Sequence, residues 1–204
     1  MNSEKEIKTL KDIWKELYQG MSENKLNKFI KELKEIKLKQ NLKPHEPEWY
    51  KDAIVYSLYV DLFNKDFSGL EAKLDYLNNL GVNCLWLLPI LDSPMKDAGF
   101  DIRDYKKIRS DLFGLTQTSD EQKQITAFEN FLKKAHKKNI SVIFDIAINH
   151  TSNEHKWFKE SRKSPDNPYR DYYIWNKDTD RYKETRLLFE GMEPSNWEKD
   201  GDWY

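Results

Sequence analysis

Among 204 residues there is a single cysteine, Cys84. One thiol excludes an intramolecular disulfide and a zinc ribbon, both of which need several. No apolar run approaches the roughly eighteen residues that a membrane-spanning helix requires. The longest apolar stretches are strand-sized. The opening MNSEKEIKTLKDIWK has no apolar stretch of the kind a secretory leader carries. An excess of one charge is missing too, with 34 Lys and Arg against 35 Asp and Glu. That balance speaks against nucleic-acid partners, which call for a basic surface. No Gly-x-Gly-x-x-Gly follows an apolar run, and no Walker loop is present, so a nucleotide site is not expected. Internal repeats and low-complexity tracts are absent. These absences leave a soluble, cytoplasmic, globular chain with no membrane partner as the expectation.

What is present is aromatic. Phe, Trp and Tyr make up 14% of a chain whose charged residues reach 34%. Its mean hydropathy is −0.89. Disordered chains are poor in aromatics, so a folded core is expected. Residues 1–40 are rich in Lys and Glu and helical in period. Ile7, Leu10, Trp14 and Leu17 form one stripe, closed by Gly20. Ser22 can cap a second helix striped by Leu26, Phe29, Ile30 and Leu33. A helical extension packed on the main domain and a self-association or partner-binding arm are both open readings. Residues 41–48, with Pro44 and Pro47, read as a linker.

The period then changes. Residues 53–60 (AIVYSLYV), 84–88 (CLWLL) and 140–148 (ISVIFDIAI) read as strands buried on both faces. Between the first two, Ser68 and Glu71 read as a capping box opening a helix with Leu70, Leu74, Leu77 and Leu80 on one face. Gly81 ends that helix. A long polar loop to about residue 118 follows the second strand. Ser119 and Gln122 then read as a second box, opening a helix with Ile125, Phe128, Leu132 and Ala135. The order β-α-β-α-β predicts an α/β fold with a parallel sheet and right-handed crossovers. Residues 151–204 are different: eleven aromatics separated by charges and prolines, with weak periodicity beyond residues 154–163. They read as a loop-rich excursion.

Ligands of parallel α/β folds bind at the C-terminal ends of the strands. Two polar clusters lie at such ends. After the second strand come Asp97, Gly99, Phe100, Asp101, Arg103, Asp104 and Tyr105. A carboxylate beside an aromatic suits a sugar, since one accepts from hydroxyls and the other covers C–H faces. A surface acid in a turn beside a core Phe fits the spacing as well. After the third strand come Asn149, His150 and Thr151, with Asp145 inside the strand. His150 suits hydrogen bonding to substrate or acid/base work, and equally a structural histidine. Asp145 reads as structural, since burying it requires partners. His150 and His155 are five apart, unlike a helical zinc pair.

Asp145-Ile146-Ala147-Ile148-Asn149-His150 resembles the strand-three signature of the α-amylase family of glycoside hydrolases. The segments around Trp157 and residues 169–175, with the Asp97-x-Gly99-Phe100-Asp101-Ile102 loop, are similar to its oligo-1,6-glucosidase and trehalose synthase (maltose glucosyltransferase) branch. Arg181-Tyr182, Thr185-Arg186, Phe189 and residues 193–197 resemble trehalose synthases most. The resemblance covers about residues 49–204. It implies a partial TIM barrel: residues 49–150 as its first three strands, residues 151–204 as the start of a domain inserted after strand three. It further implies α-glucosides such as maltose as substrates. Asp97 would hold the hydroxyls of the donor glucose, Phe100 would stack on it, and His150 would bond the same sugar. Phe100 stands where the family usually has Tyr.

Asn149 matches a position that ligates calcium in some members, and no other cofactor is implied. Residues 61–68 lack the family's Asp-x-Asn-x-Asp-Gly calcium loop. The nucleophilic Asp and acid/base Glu of the family belong to later strands, so no catalytic residue is assigned here. The expectation is the N-terminal portion of an α-glucosidic-bond enzyme, inactive as 204 residues and able to self-associate through open barrel edges or the N-terminal helices. A truncated remnant with weak sugar binding is the alternative.

Overall fold

A computed structural model describes residues 3–18, 22–40, 48–114, 121–187, 190–192 and 194–204. Gly20, the prolines of the linker, Ser119, Phe189 and Glu193 lie outside the described residues. The chain divides into two compact units, Met1–Asp52 and Ala53–Tyr204. In the first, helices α1 (Ser3–Leu17) and α2 (Glu23–Gln40) span the two predicted stripes, though Leu17, Phe29 and Leu33 of those stripes are exposed. Leu26 and Ile30 are buried, and the Trp14 ring lies 5.4 Å from Phe29 and 4.7 Å from Tyr18. Lys28–Glu32 and Lys31–Glu35 pair on the exposed side of α2 at 4.0 Å, where such pairs contribute little. A 3₁₀ turn, Trp49–Asp52, ends this unit.

The second unit is built on three parallel strands: β1 (Val55–Leu58), β2 (Cys84–Leu87) and β5 (Ser141–Phe144). They run in the order β1-β2-β5, so Ser57, Trp86 and Ile143 stand abreast. The strands are shorter than their apolar runs. β1 stops where helix α3 (Val60–Asn64) begins at once. Past β2 the chain reaches Pro89, which has no N–H for a ladder. Beyond Phe144, β5 makes one more rung, Asp145 N–H to the Leu87 carbonyl at 2.8 Å, and then has no strand to follow.

The crossover from β1 to β2 is two short helices, α4 (Phe67–Ala72) and α5 (Leu74–Asn79), not one. Its cap differs from the predicted Ser68–Glu71 box. Asp66 caps α4, its carboxylate accepting from the Gly69 amide at 2.8 Å. Gly69 is obligatory there, since a Cβ would sit 1.8 Å from the Asn64 carbonyl oxygen.

The polar loop after β2 contains an antiparallel pair that its composition hid, β3 (Leu91–Asp92) and β4 (Asp104–Ile108), followed by a 3₁₀ turn at Ser110–Phe113. Helix α6 (Glu121–Lys137) returns the chain to β5. Leu70, Leu74, Leu77, Phe131 and Ala135 pack from the helices onto Leu58, Leu85 and Leu87. Each such buried leucine or phenylalanine contributes roughly 1.5–3 kcal/mol. The Phe67 ring stacks on Phe113 at 4.7 Å and meets Phe131 at 4.9 Å. The other face of the sheet is largely open, with Val55, Trp86 and Ile143 all more than two-fifths exposed, although Cys84 on that face is buried. After β5 come helix α7 (Lys156–Ser161) and a 3₁₀ turn, Arg170–Tyr172. The aromatics there pack on one another. The Arg170 guanidinium lies 4.0 Å from the Trp175 ring and 4.4 Å from Trp203.

Candidate functional site

Because the three strands are parallel, the segments that leave β1, β2 and β5 emerge at one edge of the sheet. The segment after β2 carries Asp97 and Phe100 in the turn between β3 and β4. That turn is wrapped around a carboxylate. Asp101, buried, accepts from Ser93 Oγ at 2.6 Å and from the Lys96 amide at 3.0 Å. Burial alone would raise its pKa. The bonds from Ser93 and from the Asp97 and Lys96 amides outweigh burial and hold it below the usual carboxylate value.

Two further features fix the loop. Phe100 N–H donates to the Asp97 carbonyl at 2.8 Å. Gly99 has φ of +93°, and a Cβ there would lie 2.9 Å from Pro89 Cβ, so only glycine fits. Asp97 is left exposed at the tip, and among the described residues its carboxylate has no hydrogen-bond partner. Phe100 is half-buried and packs against the core, so only part of its ring is free to meet a ligand.

The segment after β5 leaves the sheet as irregular backbone, with Asn149 and His150 exposed. It is stitched to the hairpin by two contacts. The Ser152 amide donates to the Ile102 carbonyl at 3.0 Å. Tyr105 Oη donates to the Ala147 carbonyl at 2.8 Å and to the His150 carbonyl at 3.0 Å. The structure therefore brings the loop of Asp97 and Phe100 and the segment of His150 onto one rim. Asp145 is half-buried, and no described side chain hydrogen-bonds its carboxylate. Asp101 and Tyr105 make the hydrogen bonds that organise these loops. Both fall in the polar cluster that the sequence marks after the second strand, but neither was given a role there, because an acid and a tyrosine in a polar loop carry no periodic signal.

Charged side chains brace the rim. Arg103 grips Asp92 with two bonds of 2.7 Å and reaches Glu154 at 3.3 Å. The bond to Asp92 raises the pKa of Arg103 further, and the bonds from Lys96 and Arg103 lower that of Glu154. Buried Arg109 pairs with Asp61, which follows β1, at 2.9 Å and with Asp111 at 2.6 Å. His155 caps α7 by accepting from the Trp157 amide at Nδ1, 3.0 Å away. Burial lowers its pKa, with Asp104 pulling the other way.

Among the described residues no three His, Cys, Asp or Glu side chains gather as a metal site. Asn149 is exposed in the segment after β5. A cavity of about 410 Å³ lies among Phe158, Trp175, Tyr182, Trp197 and Tyr204. Asp97, Phe100 and His150 do not line it. No helix among the described residues is long and apolar enough to cross a membrane.

The description "Alpha amylase, catalytic domain" matches residues 21–203. The trehalose synthase/amylase TreS of Mycolicibacterium smegmatis is 43% identical over 161 residues, covering 76% of this chain and 26% of its own. The oligo-1,6-glucosidase of Heyndrickxia coagulans is 43% identical over 157 residues, covering 74% and 25%. The crystal structure of Bacillus licheniformis trehalose-6-phosphate hydrolase superposes with a TM-score of 0.53 at 40% identity, covering 63% and 23%. The chain thus spans about a quarter of the length of these relatives.

Proposed function

Since the chain belongs to the α-amylase catalytic-domain family and its parallel strands form part of an α/β barrel, we propose that it holds the donor glucose of an α-glucosidic-bond enzyme. The observation that carries this reading is the stitched rim: Asp97 and Phe100 after β2, His150 after β5, joined through Ser152–Ile102 and Tyr105. In this reading the Asp97 carboxylate accepts from sugar hydroxyls and the free part of Phe100 covers the C–H face. The His150 imidazole donates to the same ring. Maltose-like α-glucosides are the substrate class, as in a trehalose synthase or oligo-1,6-glucosidase.

Retaining glycosidic chemistry needs two carboxyl groups about 5 Å apart, one to attack the anomeric carbon and one to protonate the leaving oxygen. Neither role is assigned to a residue of these 204. In the proposal both belong to further strands of a longer polypeptide, and this chain alone binds sugar without turning it over. Calcium takes no part in any step proposed here. The test is calorimetric titration of maltose into the 204-residue chain and into Asp97→Ala and His150→Ala. The reading expects each substitution to weaken binding by tenfold or more, with no glucose or trehalose released by any of the three. Equal affinity in all three, or no binding by the unaltered chain, sinks it.

A further inference from the structure

The segment that presents His150 is held by a pair of tyrosines from opposite sides in sequence. Tyr105, on β4, donates its one hydroxyl proton between the Ala147 and His150 carbonyls. Tyr173, from the loop-rich region beyond α7, shares a 2.8 Å hydrogen bond with Thr151 Oγ1. The Tyr173 ring also meets Phe158 edge-on at 5.1 Å. Residues 147–151 have left the sheet and so lack ladder bonds. The Tyr105 hydroxyl gives two of these carbonyls a donor that a neighbouring strand would otherwise supply, and the Tyr173 hydroxyl ties down the Thr151 side chain.

We propose that Tyr105 and Tyr173 are positioning residues that clamp residues 147–151 and thereby fix His150 relative to Asp97 and Phe100. The inference rests on the sugar-site reading above and extends it to two residues that touch no sugar. Through Tyr173, the clamp makes packing of the aromatic loop region a determinant of affinity at the rim. Burial raises the pKa of both phenols, so both hydroxyls stay protonated across neutral pH. Tyr105 is therefore a constant donor. A phenylalanine keeps each ring and its packing while removing only the hydroxyl. The loss at Tyr105 removes the donor of the Ala147 carbonyl and of the exposed His150 carbonyl, whereas after the loss at Tyr173 the Thr151 hydroxyl keeps its 3.0 Å bond to the Ser152 carbonyl, so Tyr105→Phe is the larger perturbation.

The test uses the 204-residue chain, with maltose as the probe, and compares Tyr105→Phe, Tyr173→Phe and Asp97→Ala. Two readouts are needed: maltose affinity, and hydrogen exchange in peptides covering residues 145–152 against peptides covering β1 and β2. The clamp expects about tenfold weaker maltose binding in Tyr105→Phe and a smaller loss in Tyr173→Phe. It also expects faster exchange in residues 146–152 with β1 and β2 unchanged. Unaltered exchange in residues 146–152 overturns it, and so does exchange accelerated equally across the strands, which marks a merely structural role. Wild-type maltose affinity in Tyr105→Phe overturns it as well. If the unaltered chain binds no maltose while Tyr105→Phe still loosens residues 146–152 alone, the clamp stands and the sugar reading fails.

Discussion

Replacing Asp101 by asparagine tests whether one buried carboxylate holds the loop that carries Asp97 and Phe100. Its donors are Ser93 Oγ at 2.6 Å and the Lys96 amide at 3.0 Å, with the Asp97 amide beside them. Asparagine keeps one acceptor oxygen and turns an NH₂ toward donors that already point inward. At least one donor then loses its acceptor in a site only 8% exposed. A buried donor left unpaired costs about 1–3 kcal/mol, so the loop should lose about 2 kcal/mol. That is roughly thirtyfold in the equilibrium for local opening.

Trypsin reads this opening directly, because Lys96 lies in the loop with its side chain 63% exposed. Where reclosing outpaces cleavage, the rate follows the open population. Cleavage after Lys96 should therefore be roughly thirtyfold faster in Asp101→Asn, while cleavage after Lys138, at the end of α6, keeps its wild-type rate. A change of less than about threefold after Lys96, well under one lost hydrogen bond, refutes the reasoning. The sign in pH follows from the same bonds. Asp101 binds its proton less readily when folded than the ordinary 3.8. Its contribution is present above that value and lost as pH falls through the lower folded one. Asp101→Asn should lack this acid-dependent loosening.

His155 gives a second pH dependence. Its folded pKa lies below the ordinary 6.5, so the unfolded chain binds the proton more readily. Stability should be full above about 6.5 and fall as pH drops below it toward the lower folded value, read as a lower urea midpoint. In His155→Asn, which can still cap α7, that fall should shrink, and an unchanged pH slope would count against the assignment. The largely open sheet face is the basis for another expectation. Val55, Trp86 and Ile143 are 48%, 42% and 41% exposed, and parallel sheets are ordinarily covered on both faces. Light scattering after gel filtration should show masses above 24.5 kDa, reduced by Ile143→Lys; a sharp monomer peak would rule this out.

The crossing order of the fold was legible because apolar runs and helical stripes are periodic. All three central strands fall inside the predicted runs. Their ends were not legible, since a run such as ISVIFDIAI continues past the point where β2 stops offering a partner. Ile148, 82% exposed, belongs to that apolar run yet lies outside the strand. The β3–β4 pair was hidden because β4, DYKKI, is polar and only its last residue is buried. Asp97, Phe100 and His150 enter the proposed site through a motif resemblance. The residues that hold them, Asp101, Tyr105, Tyr173 and Arg103, act through side-chain hydrogen bonds whose partners stand at no helical or strand period from them. Such bonds leave no pattern along the chain.

The most direct measurement is a hydrogen-exchange footprint of maltose on the 204-residue chain at saturating sugar. Slower exchange in peptides covering residues 96–102 and 148–152 together, and not in the Asp97→Ala variant, is the result expected of a sugar site on this rim. Protection confined to residues 173–204, or none anywhere, would contradict it.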